Sequence, residues 1–301
     1  MSDVLGLPPA LVGLRRCLVM GVVNVTPDSF SDGGQWFEPA QAIAHGLALV
    51  EQGADILDIG GESTRPGAGR IPVDEELRRV MPVVRELAAV TVVSIDTTRA
   101  EVADAALSAG AALVNDVTAG SADPAMADLV AQAGVPFVAM HSRGSSEQME
   151  NLAVYQDAVA EVCAELSARL ARLVDRGVDP RQVVLDPGFG FAKRPEHSWQ
   201  LFAALDRLLA LGRPVLVGTS RKRFLSTAVG RPGGDPADRD DATAATTALA
   251  AAAGAWGVRV HRVQASADAV RVAAAVAAAG RAGLRRGRRP APGHPAGGGQ
   301  R

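Results

Sequence analysis

Eight short apolar runs alternate strictly with eight longer amphipathic segments along this chain, and that alternation limits the fold more than any other feature. The runs are Leu18–Val23, Ile56–Ile59, Val92–Ile95, Leu113–Val114, Val135–Met140, Val183–Leu185, Val215–Val217 and Val258–Val260. The segments read as helices over Pro39–Gln52, Asp74–Ala89, Arg99–Ala109, Asp123–Ala133, Tyr155–Asp175, Glu196–Leu211, Asp241–Gly254 and Ala267–Ala279. Consecutive parallel strands need a long crossover, usually a helix, so the alternation predicts an α/β fold with a parallel sheet. Each run is apolar at successive positions, as strands covered on both faces are. Eight units over residues 18–280 match the count, and about the 250-residue length, of a single (β/α)₈ TIM barrel. A doubly wound open sheet is the alternative, but neither GxGxxG nor GxxxxGK[ST] occurs after any strand.

Residues 1–17 read as an N-terminal extension and 281–301 as a disordered tail rich in Arg, Gly and Pro. The net charge of −2 hides an asymmetry, because Arg281, Arg285, Arg286, Arg288, Arg289 and Arg301 stand in that tail with no acid among them. The body is therefore acidic and unsuited to a polyanion, and aromatics at 4% are too few for a base-stacking platform. No nucleic-acid partner is expected. Cys17 and Cys163 form no pairing pattern, which suits a reducing compartment. The N-terminus reads as no signal peptide, with Pro8-Pro9 in its apolar stretch, and no run is apolar and long enough to span a membrane. A cytoplasmic protein is the expectation.

In such a barrel, reactive groups come from the C-terminal strand ends and the loops that follow. Asn24 to Gly34 follow the first strand. Asp58 then Gly60 to Gly67 follow the second, and Asp96-Thr97 the third. Next come Asn115-Asp116, Met140-His141, Asp186 to Lys193, Gly218 to Lys222 and Arg259-Val260-His261. One strand-end Asp is commonly a helix cap. Eight polar strand ends in register are not explained by capping. Basic residues are almost all Arg, yet both lysines, Lys193 and Lys222, fall in this set, with two of the three Asn residues.

Asp58, Asp96, Asn115 and Asp186 in one mouth would hydrogen-bond a flat heterocycle rich in N–H donors and stabilise a developing cation. Arg259, His261, Arg65 and Asn24 add a cationic and polar group beside them. Ser220-Arg221-Lys222 should open a helix whose N–H groups can hold an anion. The set suits a cationic heterocycle, a leaving diphosphate and an anionic co-substrate. No Cys/His cluster or HExxH offers a zinc site.

The stretches Met20 to Gly34 and Gly60 to Ala68 resemble the two signatures of the dihydropteroate synthase family. Asp186-Pro187-Gly188-Phe189-Gly190-Phe191, Ser220-Arg221-Lys222 and Arg259-Val260-His261 are similar to further motifs of that family, in order. The resemblance covers about residues 18 to 280. It implies a Mg²⁺-assisted transferase of folate biosynthesis, homodimeric and a sulfonamide target, joining 6-hydroxymethyl-7,8-dihydropterin diphosphate to 4-aminobenzoate. It implies pterin contacts from Asp58, Asp96, Asn115, Met140, Asp186 and Lys222, with Lys222, Asp96 and Asp186 carrying the chemistry. Aminobenzoate would lie against Phe30, Thr64, Pro66, Phe191 and Lys222. Diphosphate would meet Asn24, Arg65, Arg259 and His261, with Asn24 also the Mg²⁺ ligand.

The chain departs from the family pattern in three places. Arg223 stands where some relatives carry a serine, and Arg262 where many carry an aspartate after the histidine. Asp240-Asp241-Ala242 replaces a Leu and Gly context. Elsewhere, Lys193 reads as a rim salt-bridge residue, His45 and His197 as surface or core-edge residues, and Phe189 as loop packing. Phe30, in a Gly- and Ser-rich loop, reads as an aromatic that closes over substrate.

Overall fold

The computed structural model describes residues 4–26, 39–63, 69–144, 148–230 and 234–287. Eight parallel strands form the sheet: β1 Leu18–Asn24, β2 Ile56–Gly60, β3 Val92–Asp96, β4 Leu113–Asp116, β5 Phe137–Met140, β6 Val183–Asp186, β7 Leu216–Val217 and β8 Gly257–Val260. Their order is β6-β5-β4-β3-β2-β1-β8-β7. A parallel bridge between Leu185 and Val215 joins the two outer strands, and the Leu185 N–H donates to the Pro214 carbonyl (2.8 Å). The expected (β/α)₈ barrel is thus the observed one.

The helices are α1 Pro39–Glu51, α2 Val73–Ala88, α3 Ala100–Ser108, α4 Ala125–Ala133, α5 Ala158–Asp175, α6 Pro195–Ala203, α7 Leu205–Leu209, α8 Arg223–Val229, α9 Asp240–Ala253 and α10 Val263–Gly287. Two differ from expectation. The segment Glu196–Leu211 is two helices, because the backbone leaves helical geometry at Ala204 (φ −107°, ψ 33°) and sets Leu205 and Leu208 into the core. The last helix continues past Ala279 to Gly287, into the segment expected as tail. Residues 288–301 lie outside the described residues.

Strand side chains alternate between two faces, and here one face is the barrel interior. Its floor is Leu18, Met20, Ile56, Leu113, Val138, Val184 and Leu216, closed from below by Val4, Leu11 and Trp256. The N-terminal segment is therefore part of the packing, and the Leu5 N–H donates to the Arg181 carbonyl (2.9 Å). Moving up each strand by two residues from that floor reaches Asp58, Asn115, Met140, Asp186 and Gly218. The same parity gives Ser94 and Asp96 on β3 and Arg259 on β8. Adjacent strands share the level, with Asp96 opposite Asn115 and Met140 opposite Asp186. The other parity meets the helices in the larger core, where Val19, Leu57, Val93, Val114 and Phe137 pack. Among the described residues no helix is long and apolar enough to cross a membrane.

Candidate active site

The centre of the mouth is an ion-pair bridge. Arg259 Nε donates to Asp58 Oδ2 (2.6 Å) and its terminal nitrogen to Asp96 Oδ2 (2.7 Å). Asn115 Nδ2 donates to the same Asp58 oxygen (2.9 Å). Asp58 Oδ1 and Ser94 Oγ are buried without a hydrogen-bond partner. A buried acceptor left unmade is costly, so this level of the barrel suits a ligand that brings donors. The Arg259 side chain keeps 22% of its surface. Burial opposes its charge, but Asp58 and Asp96 outweigh burial and raise its pKa.

Asp96 is lifted above the ordinary carboxylate range, chiefly by burial, with Arg259 pulling it down and Asp58 pushing it up. Asp186 is raised for the same first reason, against the Gly188 N–H that donates to its Oδ1 (2.7 Å). Lys222 stands at the start of α8 with its Nζ over the Phe191 ring at 3.9 Å. Burial, reinforced by Arg259, lowers its pKa to about 8, while Asp186 and Asp96 oppose the fall. These acids and bases have pKa values pushed toward each other, as groups at working sites often are.

The far side of the mouth is set by Ser220. The His261 N–H donates to Ser220 Oγ (3.1 Å), so the serine hydroxyl is free to donate to His261 Nδ1 (2.9 Å). Where Nδ1 accepts that bond, a neutral His261 carries its proton on Nε2. Ser220 thus orients this ring where the family aspartate is missing, while Arg262 reaches outward to Asp241 (3.4 Å). Arg221, at φ +58°, turns away from the mouth into a two-pronged pair with Asp240 (2.8 Å each). Arg223 pairs with Glu150 (2.8 Å) on the exposed rim.

The family model described as pterin binding enzyme matches residues 20–261. The dihydropteroate synthase of Mycobacterium leprae is 55% identical over 269 residues, 88% of this chain and 95% of that one. The chain belongs to the dihydropteroate synthase family. The solved Xanthomonas albilineans enzyme with 4-aminobenzoic acid is 49% identical with a TM-score of 0.82, over 88% of this chain and 94% of that one. The same enzyme in complex with 7,8-dihydropteroate is 46% identical with a TM-score of 0.79, over 89% and 96%. Like other dihydropteroate synthases, this chain is a transferase of folate synthesis.

Of the expected site residues, Asp58, Asp96, Asn115 and Arg259 are joined by hydrogen bonds. Met140 and Asp186 flank them on β5 and β6, Lys222 and Phe191 meet each other, and His261 rests on Ser220. Asn24 ends β1 beside Gly60. Phe30, Thr64, Arg65 and Pro66 lie outside the described residues. Phe189 is fully buried against Phe202 and Phe224, as loop packing. His45 is half-buried, and His197 stacks edge-on with Tyr155 (4.9 Å between centroids).

Lys193 differs from expectation. It is buried, and its hydrogen-bond partners are a histidine nitrogen and two carbonyls, with no carboxylate among them. The sequence reading also missed Arg99, which bridges Glu62 (3.0 Å) and Glu76 and donates to the Ile71 carbonyl (2.6 Å). These contacts fasten both ends of the loop after β2 to the start of α3 and to α2. An arginine three residues after the strand-end Asp96 was the available signal.

Proposed function

We propose that this mouth joins 6-hydroxymethyl-7,8-dihydropterin diphosphate to 4-aminobenzoate by losing diphosphate before the amine attacks. The observation that carries the reading is the Asp58–Arg259–Asp96 bridge, with Asn115 on it and Asp186 alongside. Carboxylates and an amide stand together at one level of the mouth, with an unpartnered acceptor on Asp58. Such a set accepts from the pterin ring N–H and amino groups. Its negative charge favours the exocyclic carbocation left as the carbon–oxygen bond breaks, and that interaction strengthens only as the cation forms. Met140 supplies an apolar wall. Lys222 donates to the ring and faces the aminobenzoate, whose ring packs on Phe191 with Phe30, Thr64 and Pro66. Arg65, His261 and Arg259 receive the diphosphate, Arg259 by swinging from its carboxylates.

Magnesium fits here as an ion held mainly by the diphosphate and water. Among the described residues no cluster of three His, Cys, Asp or Glu could hold a metal ion. The strand end instead offers Asn24, one neutral oxygen of the kind a hard cation accepts. When bound there it would neutralise charge on the leaving group. Both cysteines are free, in keeping with a cytoplasmic setting.

Diphosphate release from the three-component mixture tests the reading, and its pH profile tests Lys222. For kcat/KM, which reports the free enzyme, an alkaline limb near pH 8 is expected as Lys222 loses its proton. Lys222→Arg, always charged, should remove that limb at a lower rate. Retention of the limb in that variant would assign it to another group.

A second copy of the chain is expected on the face where Leu249 of α9 and Val272 and Val276 of α10 are 60%, 63% and 69% exposed. These large apolar side chains sit on two helices that pack together, and apolar surface of this kind is what an interface would cover. Sedimentation should give about twice the 31.0 kDa chain mass, and Val276→Asp should shift it to the monomer. A wild-type monomer at micromolar concentration would rule the dimer out.

A further inference from the structure

The loop from Pro187 to Arg194 has an unusual backbone. Gly188, Gly190 and Ala192 lie in the left-handed region at φ 66°, 74° and 47°. At Gly188 a Cβ would stand 1.9 Å from the His141 carbonyl oxygen, so no larger residue fits. Ala192 holds a conformation that a residue with a Cβ rarely adopts. Such a backbone persists only where its surroundings over-determine it.

What surrounds it is Lys193. Its Nζ meets His141 Nδ1 (2.8 Å), the Gly188 carbonyl (3.1 Å) and the Phe191 carbonyl (3.0 Å). His141 is fully buried, and its Nε2 lies 2.9 Å from Glu165 Oε2. Burial holds the His141 pKa near 4, with the Lys193 charge helping and Glu165 opposing. Glu165 is an acceptor at neutral pH, since the His141 and Arg143 contacts keep it near 2. The single proton of a neutral His141 therefore sits on Nε2, and Nδ1 accepts. Lys193 then faces three acceptors. An ammonium has three N–H groups for them; a neutral amine has two, and its lone pair would face a third lone pair. Burial pulls the Lys193 pKa well down, with Asp186 opposing the fall, and the three acceptors favour the ammonium, the form that can donate to all of them. The chain Glu165–His141–Lys193 is a charge pair separated by a neutral ring.

We propose that Lys193 is a positioning residue for the reaction, its ammonium gathering the Gly188 and Phe191 carbonyls onto His141 so that Phe191 is presented to Lys222 and the aminobenzoate. It never touches substrate. Gly188 is the residue whose N–H bonds Asp186, and Phe191 carries the ring beneath Lys222 Nζ. Asp186 is also held by its strand, since the His141 N–H donates to its carbonyl (2.8 Å). Phe191 depends more on the loop, so loss of the clamp falls chiefly on the co-substrate side. The proposal rests on the placing of Phe191 in the aminobenzoate pocket.

The test is a double-mutant cycle of Lys193→Met and Phe191→Ala, read as KM for 4-aminobenzoate and as the dissociation constant of an unreactive pterin. Lys193→Met keeps length and removes the ammonium. Alone it should raise the aminobenzoate KM at least tenfold and change pterin affinity less than about threefold. In the Phe191→Ala background it should add little, because residues acting as one unit are not additive. If Phe191→Ala alone leaves KM unchanged, the placing of Phe191 fails. If Phe191→Ala raises KM and Lys193→Met adds its full effect on top, the clamp fails. Should Lys193→Met not fold, Glu165→Gln alters the same chain from its part-exposed end. A two- to fivefold rise in aminobenzoate KM with pterin affinity unchanged is expected there, and no rise overturns the proposal.

Discussion

Lys222→Ala should lower kcat by about 10²-fold or more, the scale of removing one preorganised donor from a water-poor site. Lys222 is held by the turn into α8, lies over Phe191 and feels both Asp186 and Asp96. Folding should not suffer. A lysine whose pKa falls from 10.5 to about 8 carries its charge at a penalty in the native state. Between those values the unfolded chain binds more protons, so this group makes stability rise as pH climbs from about 8 to 10.5. The variant should match or exceed the parent in melting temperature at pH 7 and lose that part of the alkaline rise. Kinetics and thermal melts on the same preparation check both statements. A large loss of stability with little loss of kcat would make Lys222 a packing residue.

Asp96→Asn and Asp186→Asn should each lower turnover by about 10²-fold while weakening an unreactive pterin by less than tenfold. Asparagine keeps the shape and one acceptor and loses the charge. A neutral ring notices little of that change; a ring becoming a cation notices it fully. For Asp96 there is a second consequence, because Arg259 keeps Asp58 alone as its carboxylate partner in the bridge. The loss should be similar at low and saturating 4-aminobenzoate, since the defect precedes amine attack. Calorimetry with the unreactive pterin beside steady-state kinetics decides it. Equal losses in both would reduce these residues to holding the ring.

Much of the site was legible because it sits at strand ends. Strand runs are local apolar patterns, and each predicted run coincides with a strand to within a few residues. A barrel gathers strand ends at one rim, so Asp58, Asp96, Asn115, Asp186 and Arg259 could be assigned to one mouth from alternation alone. The parity of two carries the same information inward, from floor residues such as Ile56 and Leu113 to Asp58 and Asn115.

Pairing was not legible, because partners far apart in sequence meet only when the barrel closes. Arg259 and Asp58 are 201 residues apart, and nothing local to either tells that the guanidinium spans two carboxylates. Ser220 and His261, 41 residues apart, meet in the same way, and their contact fixes the orientation of the ring. Arg221 and Lys222 are neighbours in sequence, yet a positive φ at Arg221 turns one to Asp240 and leaves the other at the mouth. Lys193 is the clearest case. By composition alone a lysine in a loop is a surface charge, whereas the fold supplies three acceptors that make its burial tolerable. Hydrophobic periodicity is a local property, so the barrel and its rim residues can be read from the chain alone. Which charges neutralise one another depends on distances set by closing the sheet, so that pairing belongs to the fold.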